Sequence, residues 1–481
     1  MAKLTCLSVA SEIFPLVKTG GLADVAGALP IALARENVAV TTLVPGFSAV
    51  LDALEGAEPV ADYKNLFGGP ARILRGKAGP LDLFALDAPH LYLRPGGPYL
   101  GPDGLDHPDN ARRFAALSRT GAALAQGKVE NFAPDVVHAH DWQAGLVAAY
   151  LRFSGKRSPA SVLTIHNLAF QGLFPAELLA PLDLAAASFV EQGLEYYGQI
   201  SFLKAGVNYS DAVTTVSPTY AREILAPEQG MGFDGILRAR EDALTGIRNG
   251  IDMQVWDPAS DTLIAKKYSS RNLAARAQNS SALRKRMGLP ELDGALLLGV
   301  VSRLSSQKGL DLLLACLPLF ASLNLQLAML GSGDPALEAA FKSAAEEGPD
   351  RIAAHFGYAE DLAHLIQAGA DVLLVPSRFE PCGLTQLCAL RYGAVPLTSR
   401  VGGLADTIID ANDMALAAQC ATGLQFAPVT ADALAAALRK AAQLFADAPL
   451  WRQIQLNGMK SDVSWEKPAK TYANLFRNLA A

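Results

Sequence analysis

Two short segments in the second half of the chain carry residues suited to holding a diphosphate and a polyol. Ser302–Gly309 (SRLSSQKG) supplies Arg303 and Lys308 within one loop. A guanidinium binds two phosphate oxygens at once, while an ammonium acts as a point charge. Arg378–Leu387 (RFEPCGLTQL) opens a helical pattern, so Glu380 and the backbone of Cys382, Gly383 and Leu384 fall at a helix N-terminus. A carboxylate there accepts hydrogen bonds from the hydroxyls of a polyol, and the N–H groups of a helix's first turn act as donors. No histidine lies near Cys382 in sequence to activate its thiol, so it reads as a neighbour of the ligand rather than a nucleophile.

The first half offers a complementary set. HAHDWQ (His138–Gln143) and TIHN (Thr164–Asn167) each end a strand-like run, which projects His140, Asp141 and His166 beyond a strand's carboxyl end. His138 is expected on the other side of the pleat as a packed histidine. These histidines lack a third-ligand pattern, so no metal is expected. The phrase GGLAD occurs twice, at Gly20–Asp24 just after Lys18 and at Gly402–Asp406. Paired glycines opening a helix let backbone N–H groups approach an anion. Lys18, Gly20, Gly21, Gly402 and Gly403 are therefore candidate ligand contacts, two half-sites that would hold one charged ligand from both sides of a cleft. GSGDPA (Gly331–Ala336) spells the dinucleotide fingerprint but does not lie in the first strand-to-helix turn of its half, and reads as a tight turn.

Positioning these residues requires alternating strands and helices. Leu4–Val9, Val38–Val44, Val136–Ala139 and Ser161–Ile165 are strand-like, with helices at Leu22–Arg35 and Trp142–Arg152, so the first half reads as parallel α/β. The second half repeats the rhythm with strands at Ala295–Val301, Gln326–Leu330, Arg351–Phe356, Val372–Val375 and Val395–Thr398. Right-handed crossovers then give two doubly wound sheets with ligands beyond the strands' carboxyl ends. The turn-rich Asn249–Asp252 segment sets a domain boundary near Gly250, and Trp465–Leu479 forms a terminal helix. The Gly/Pro-rich Arg94–Asp109 segment reads as a long loop.

Composition narrows the function. At 481 residues, 51% hydrophobic and 18% charged, the chain fits two packed α/β domains and excludes disorder. A net charge of −6 gives no global attraction to nucleic acid or anionic membrane. Five scattered cysteines indicate reduced thiols and a cytoplasmic location, and no apolar run reaches the ~20 residues of a membrane span.

The ordered motifs SEIFPLVKTGGLADV, HAHDWQAG, TIHNLAFQG, TVSPTYAREI, RNGID, SRLSSQKGLD, GSGDP, PSRFEPCGLTQL, VGGLADT and SWEKPAKTYANLF resemble those of the glycogen/starch synthase family, the bacterial ADP-glucose type. The resemblance covers essentially the whole chain. It implies a glycosyltransferase B fold, two Rossmann-like domains facing a deep cleft. Residues 1–250 with a returning segment 462–481 would form the N-terminal domain, and 251–461 the nucleotide-sugar domain. It implies a retaining hexosyltransferase that extends an α-1,4-glucan (glycogen or a maltooligosaccharide) with glucose from ADP-glucose, without cofactor or metal. By motif, Lys18 and the Gly20–Gly21 loop would contact the donor, and Arg303 with Lys308 its diphosphate. His166 and Asp141 would lie by the glucose with Asn249 nearby, Glu380 with Cys382, Gly383 and Leu384 would grip sugar hydroxyls, and Tyr99 would neighbour the site. Related families place a second glutamate eight residues after the first; here that position is Cys388, so a ribose contact must come from elsewhere. The alternatives to a synthase are a phosphorylase-like enzyme and a non-catalytic glucan- or nucleotide-binding protein.

Overall fold

Apolar runs rich in valine, isoleucine and leucine become the central strands, because a parallel strand covered on both faces has no side to give to water. The computed structural model describes residues 3–481. They divide into two units, one of residues up to Asn249 with Trp465–Ala481 and the other Gly250–Ser464.

In the N-terminal unit the strands are β1 (Leu4–Val9), β2 (Val38–Pro45), β3 (Glu55–Tyr63), β4 (Ala71–Ala78), β5 (Leu81–Asp87), β6 (Val136–His140), β7 (Ala160–Ile165), β8 (Leu173–Pro175), β9 (Glu195–Tyr196), β10 (Gln199–Ser201), β11 (Ala212–Thr215) and β12 (Leu244–Gly246). The main sheet runs β12-β11-β7-β6-β1-β2-β5-β4-β3, and β8, β10 and β9 form a small antiparallel sheet. Its centre is parallel, as expected. However, β4 joins β5 and β3 joins β4 antiparallel, so the first half is mixed rather than wholly parallel. Adjacent β1 and β6 lead their chains to opposite sides of the sheet, a switch point where ligands gather beyond the carboxyl ends.

The helix Gly21–Arg35 buries Leu22, Val25, Ala26, Leu29 and Leu33 at helical spacing, with Asp24 in its first turn and Arg35 in its last to match the dipole. The expected helix over Trp142–Arg152 is broken at Gly145 into Asp141–Ala144 and Leu146–Phe153. A Cβ at Gly145 would collide with the Phe202 carbonyl, so the glycine permits this close approach. The terminal helix Glu466–Ala480 lays Ala469, Tyr472, Ala473 and Phe476 against Leu4, Cys6, Val25, Leu29 and Val136.

In the second unit β13 (Leu296–Val301), β14 (Leu325–Gly331), β15 (Ile352–Phe356), β16 (Val372–Val375), β17 (Val395–Ser399) and β18 (Leu424–Phe426) form a parallel sheet ordered β15-β14-β13-β16-β17-β18. This is the doubly wound dinucleotide-fold order, with its switch point between β13 and β16. The loops after those two strands carry SRLSSQKG and PSRFEP. The five cysteines form no disulfide, and no helix among the described residues is long and apolar enough to cross a membrane.

Candidate functional site

In the second unit, backbone and side chains zip the loops after β13 and β16 together. Arg378 donates to both carboxylate oxygens of Asp311 at 2.7 Å and to the Ser306 carbonyl at 2.9 Å. Its own N–H donates to the Gln307 carbonyl at 2.8 Å, and the Gln307 side chain donates to the Phe379 carbonyl at 3.2 Å. Gly309 has φ +64°, and a Cβ there would collide with the Pro376 carbonyl, so only glycine allows the loops to close this tightly. The zipped loops deliver Lys308 Nζ to Glu380 Oε2 at 2.5 Å.

Glu380 is buried, and Ser377 Oγ donates to the same Oε2 at 2.8 Å. Its Oε1 has no partner among the described residues and remains open to a hydroxyl donor. Arg303 stands exposed in the same loop as Lys308. Gly383 has φ +71°, and it and Leu384 precede the helix Thr385–Tyr392 with N–H groups that find no acceptor among the described residues. Gln386 braces this turn by donating to the Cys382 and Gly383 carbonyls at 3.0 and 2.9 Å.

The second GGLAD copy supports the same turn from behind. The Gly403 N–H donates to the carbonyls of Glu380 at 3.0 Å and Pro381 at 3.2 Å, and a Cβ on Gly403 would collide with Cys382. That N–H is occupied by protein, so Gly403 acts as a brace and does not present a donor to an anion. Gly402, φ +43°, starts the helix Gly402–Thr407. In the GSGDPA turn, Leu304 N–H donates to the Ser332 carbonyl at 2.8 Å and Asp334 N–H to the Leu304 carbonyl at 2.8 Å. Its glycines permit backbone contact with the Arg303 loop.

In the N-terminal unit the first GGLAD copy is built differently. Gly20 is extended, φ −161°, with nothing within 4 Å of the place a Cβ would take. Lys18 pairs with Asp24 at 2.9 Å and lies 5.0 Å from the Phe14 ring centroid. The loop is anchored by Glu12, a buried residue not singled out from sequence. Its carboxylate accepts from the Thr19 N–H, from Thr19 Oγ1 at 2.7 Å and from the Tyr99 hydroxyl. Ser11 Oγ lies 2.8 Å from the same hydroxyl. Burial first, then the Glu12 charge, drive the Tyr99 phenol well above its ordinary value. Tyr99 thus ties the Gly/Pro-rich segment to the end of β1, while Arg94 and Asp109 close that segment at 2.6 and 2.8 Å.

Beyond β6 and β7, His166 and Asp141 meet: Asp141 Oδ1 accepts from the His166 N–H at 2.7 Å and the Asn167 N–H at 3.4 Å. Asp141 is buried in the left-handed region at φ +54°, an uncommon place for a residue other than glycine or asparagine. Burial raises its carboxyl to about 7, against the lowering effect of those two N–H groups. His140 Nδ1 lies 2.9 Å from His166 Nε2, and Ser8 Oγ lies 3.2 Å from His140 Nε2.

His138 is packed, as expected, but not across the pleat: residues two apart share a strand face, and its ring centroid lies 4.1 Å from that of His140. It bonds Thr164 Oγ1 at 2.6 Å. Burial lowers His138 and His166 well below the usual imidazole range and His140 to about 3, so all three rings are uncharged near neutrality. Asn249, the last residue of this unit's first segment, is buried with its Oδ1 unpartnered. No group of three metal-ligating side chains occurs among the described residues.

Glu12, Ser8, His140 as a bridge, and Ser377 are the positions that sequence reading did not weigh. Their one local signal is a polar side chain near the end of an apolar strand: Ser8, His140 and Glu12 act through partners distant in the chain, and Ser377 through a turn that brings it onto Glu380.

Family models match in two blocks: the starch synthase catalytic domain over residues 5–239 and glycosyl transferases group 1 over 284–446. The chain is 62% identical to a glycogen synthase of Rhodopseudomonas palustris (strain BisA53), over 100% of this chain and 98% of that protein. It is 61% identical to the glycogen synthase of Methylocella silvestris, over 100% and 99%. Among solved structures, the catalytic domain of starch synthase IV from Arabidopsis thaliana, bound to ADP and acarbose, superposes with a TM-score of 0.91 at 29% identity, covering all of both chains. Sucrose-phosphate synthase from Thermosynechococcus elongatus shares the fold at 19% identity and a TM-score of 0.60, over 99% of each chain. The paired sheets, the two family blocks and the full-length likeness place the chain in the glycogen and starch synthase family, hexosyltransferases of the glycosyltransferase B fold that transfer glucosyl groups in glycogen synthesis.

Proposed function

We propose that the nucleotide-sugar donor is ADP-glucose, that the acceptor is the non-reducing end of an α-1,4-glucan, and that transfer retains the anomeric configuration. The observation that carries this reading is the Lys308–Glu380 pair, held by zipped loops at the switch point of a dinucleotide-type sheet. Arg303 and Lys308 take the diphosphate oxygens. Glu380 Oε1 and the Gly383 and Leu384 N–H groups take glucose hydroxyls. Lys18 with the Gly20–Gly21 turn contacts the donor, and His166 and Asp141 serve the glucosyl group, with Tyr99 and Asn249 close to them. Gly402 and Gly403 hold the Glu380 turn.

In this reading the bond from the anomeric carbon to the β-phosphate oxygen breaks with its electron pair going to the phosphate. Fixed positive charge stabilises the departing diphosphate, so no metal or cofactor is needed. The acceptor 4-hydroxyl attacks the same face of an oxocarbenium-like centre and gives its proton to the leaving phosphate. The reaction takes place in the cytoplasm, consistent with five cysteines that form no disulfide.

The deciding experiment offers ADP-glucose and UDP-glucose separately with a maltooligosaccharide and measures chain extension. Extension with ADP-glucose supports the reading. Extension with UDP-glucose alone overturns the base assignment. A glucosyl-enzyme trapped at Glu380 or Asp141 overturns same-face attack.

A further inference from the structure

The three buried histidines clustered at the ends of β6 and β7 leave one question that hydrogen-bond satisfaction answers: which nitrogen of His166 carries the proton. An uncharged imidazole has one N–H, and the choice is set by what the other nitrogen bonds. The chain runs from Ser8 Oγ to His140 Nε2 at 3.2 Å, then from His140 Nδ1 to His166 Nε2 at 2.9 Å. It ends at His166 Nδ1, which has no partner among the described residues.

Its direction is fixed at the Ser8 end. Ser8 is 3% exposed, and its hydroxyl has no neighbour other than His140 Nε2 within hydrogen-bond reach among the described residues. Were His140 Nε2 the donor, the Ser8 proton would be buried without an acceptor, a cost of about 1–3 kcal/mol. Ser8 therefore donates to His140 Nε2. His140 must then carry its proton on Nδ1 and donate it to His166 Nε2, and His166 is left with Nδ1–H. We infer that Ser8 and His140 are positioning residues that fix the tautomer of His166, so that its Nδ1 meets the sugar as an N–H donor to a glucosyl oxygen.

Sheet register makes this chain possible. Ser8 pairs with His138 across β1 and β6, and His140 pairs with Thr164 across β6 and β7, so these side chains share one face of the sheet. His138 takes its own partner in Thr164 Oγ1, and Thr164 Oγ1 lies 2.6 Å from Thr214 Oγ1. That leaves His140 alone to connect Ser8 with His166. Burial keeps the rings uncharged, so the protons stay assigned one to a ring near neutrality.

The inference rests on the proposed contact between His166 and the glucosyl group, and the test separates the two. In the full chain labelled with nitrogen-15 histidine, long-range proton–nitrogen spectra should show His166 protonated on Nδ1 and unprotonated on Nε2, assigned by the loss of its signals in His166→Gln. Ser8→Ala should mix the tautomers and lower kcat/KM for glucosyl transfer about tenfold, the effect of one lost hydrogen bond. Ser8→Thr, which keeps the hydroxyl, should restore both, and ADP affinity should stay at the wild-type value throughout. His140→Phe, which keeps a ring but no proton path, should lower kcat/KM at least as far. A wild-type His166 protonated on Nε2, or a Ser8→Ala chain with unchanged tautomer and unchanged kcat/KM, overturns the inference while leaving the synthase reading intact. An unmodified chain that transfers no glucosyl group overturns the reading of the site, whatever the spectrum shows.

Discussion

Buried histidines in the two units are held in opposite charge states. In the N-terminal unit the rings of His138, His140 and His166 bond, among the described residues, only to one another and to hydroxyls, and burial leaves them uncharged. In the second unit His364 is just as hidden, and burial alone would lower it too. There Asp261 lies 2.8 Å from Nδ1 and Glu360 3.6 Å from Nε2, and together they raise it to about 9. Trp256 stacks on its ring at 4.0 Å, and Tyr392 donates to the same Asp261 at 2.6 Å. Burial therefore does not dictate charge; the presence of a carboxylate within hydrogen-bond distance does. The candidate residues divide the same way, into a charged half in the second unit, where Lys308 pairs with Glu380, and an uncharged half at the ends of β6 and β7, where the histidine rings lie beside Asp141.

The largest expected effect breaks the charged half. Lys308→Ala removes the cation and leaves Glu380 buried without its ion-pair partner. It should reduce kcat/KM for glucosyl transfer by one to two decades, about 1.5–3 kcal/mol, in steady-state assays at low donor concentration. Full activity in that variant would remove Lys308 from the diphosphate site.

The two GGLAD copies give the next contrast. Gly403→Ala drives a methyl into Cys382 and should cost about 1–3 kcal/mol of stability in denaturant unfolding. Gly20→Ala, at an extended position with open space, should unfold within ~0.5 kcal/mol of the unaltered chain. Equal losses at the two positions would erase the distinction between a packed brace and an open donor turn.

Asp141 sharpens the uncharged half. Its carboxyl sits at about 7 in the fold against an ordinary 3.8, so the folded state holds a proton that the unfolded chain releases. Its contribution to stability is complete below 3.8 and falls as pH rises through about 7. Asp141→Asn, which tolerates φ +54°, should therefore gain stability relative to wild type at pH 8. If the charged form serves an oxocarbenium-like centre, wild-type kcat should fall below pH 7, and the Asn variant should lose that limb together with about tenfold in rate. An unchanged pH profile in Asp141→Asn would assign the carboxyl to structure alone.

The smallest effect belongs to His364. Its raised value gives stability that is fully present below 6.5 and lost as pH rises through about 9. Melting temperature of the full chain should decline across that window, and His364→Gln should flatten the decline at a cost of about 1 kcal/mol near neutrality.

Legibility from sequence followed burial only in part, since the buried strands Leu81–Asp87 and Ala212–Thr215 were not picked out. The central strands announced themselves as apolar runs because both faces are covered: Leu296–Val301 and Leu325–Gly331 were placed within a residue of the structure. Glu55–Tyr63 was missed because it is an exposed edge strand containing Pro59, where no apolar pattern is required, and Ala71–Ala78 because its short buried side, Ala71, Ile73 and Ala78, is interrupted by Arg72, Arg75, Gly76 and Lys77. Leu424–Phe426 was missed because three residues carry no period. Lys18, Arg303, Lys308, Asp141, His166 and Glu380 stood out because each ends a strand or opens a helix in a polar cluster. Glu12, Ser8 and Ser377 did not, because their roles depend on partners far along the chain or on the fold around a turn.

The alternation of strands and helices, the polar loops at strand ends and the family those loops resemble are all written in local spacing and are legible in the linear chain. Which of those residues are charged is settled only when the chain folds. Whether His166 is uncharged, the Asp141 carboxyl raised or Lys308 paired depends on burial and on groups brought together by the fold, and a pKa is a property of that surrounding rather than of the residue.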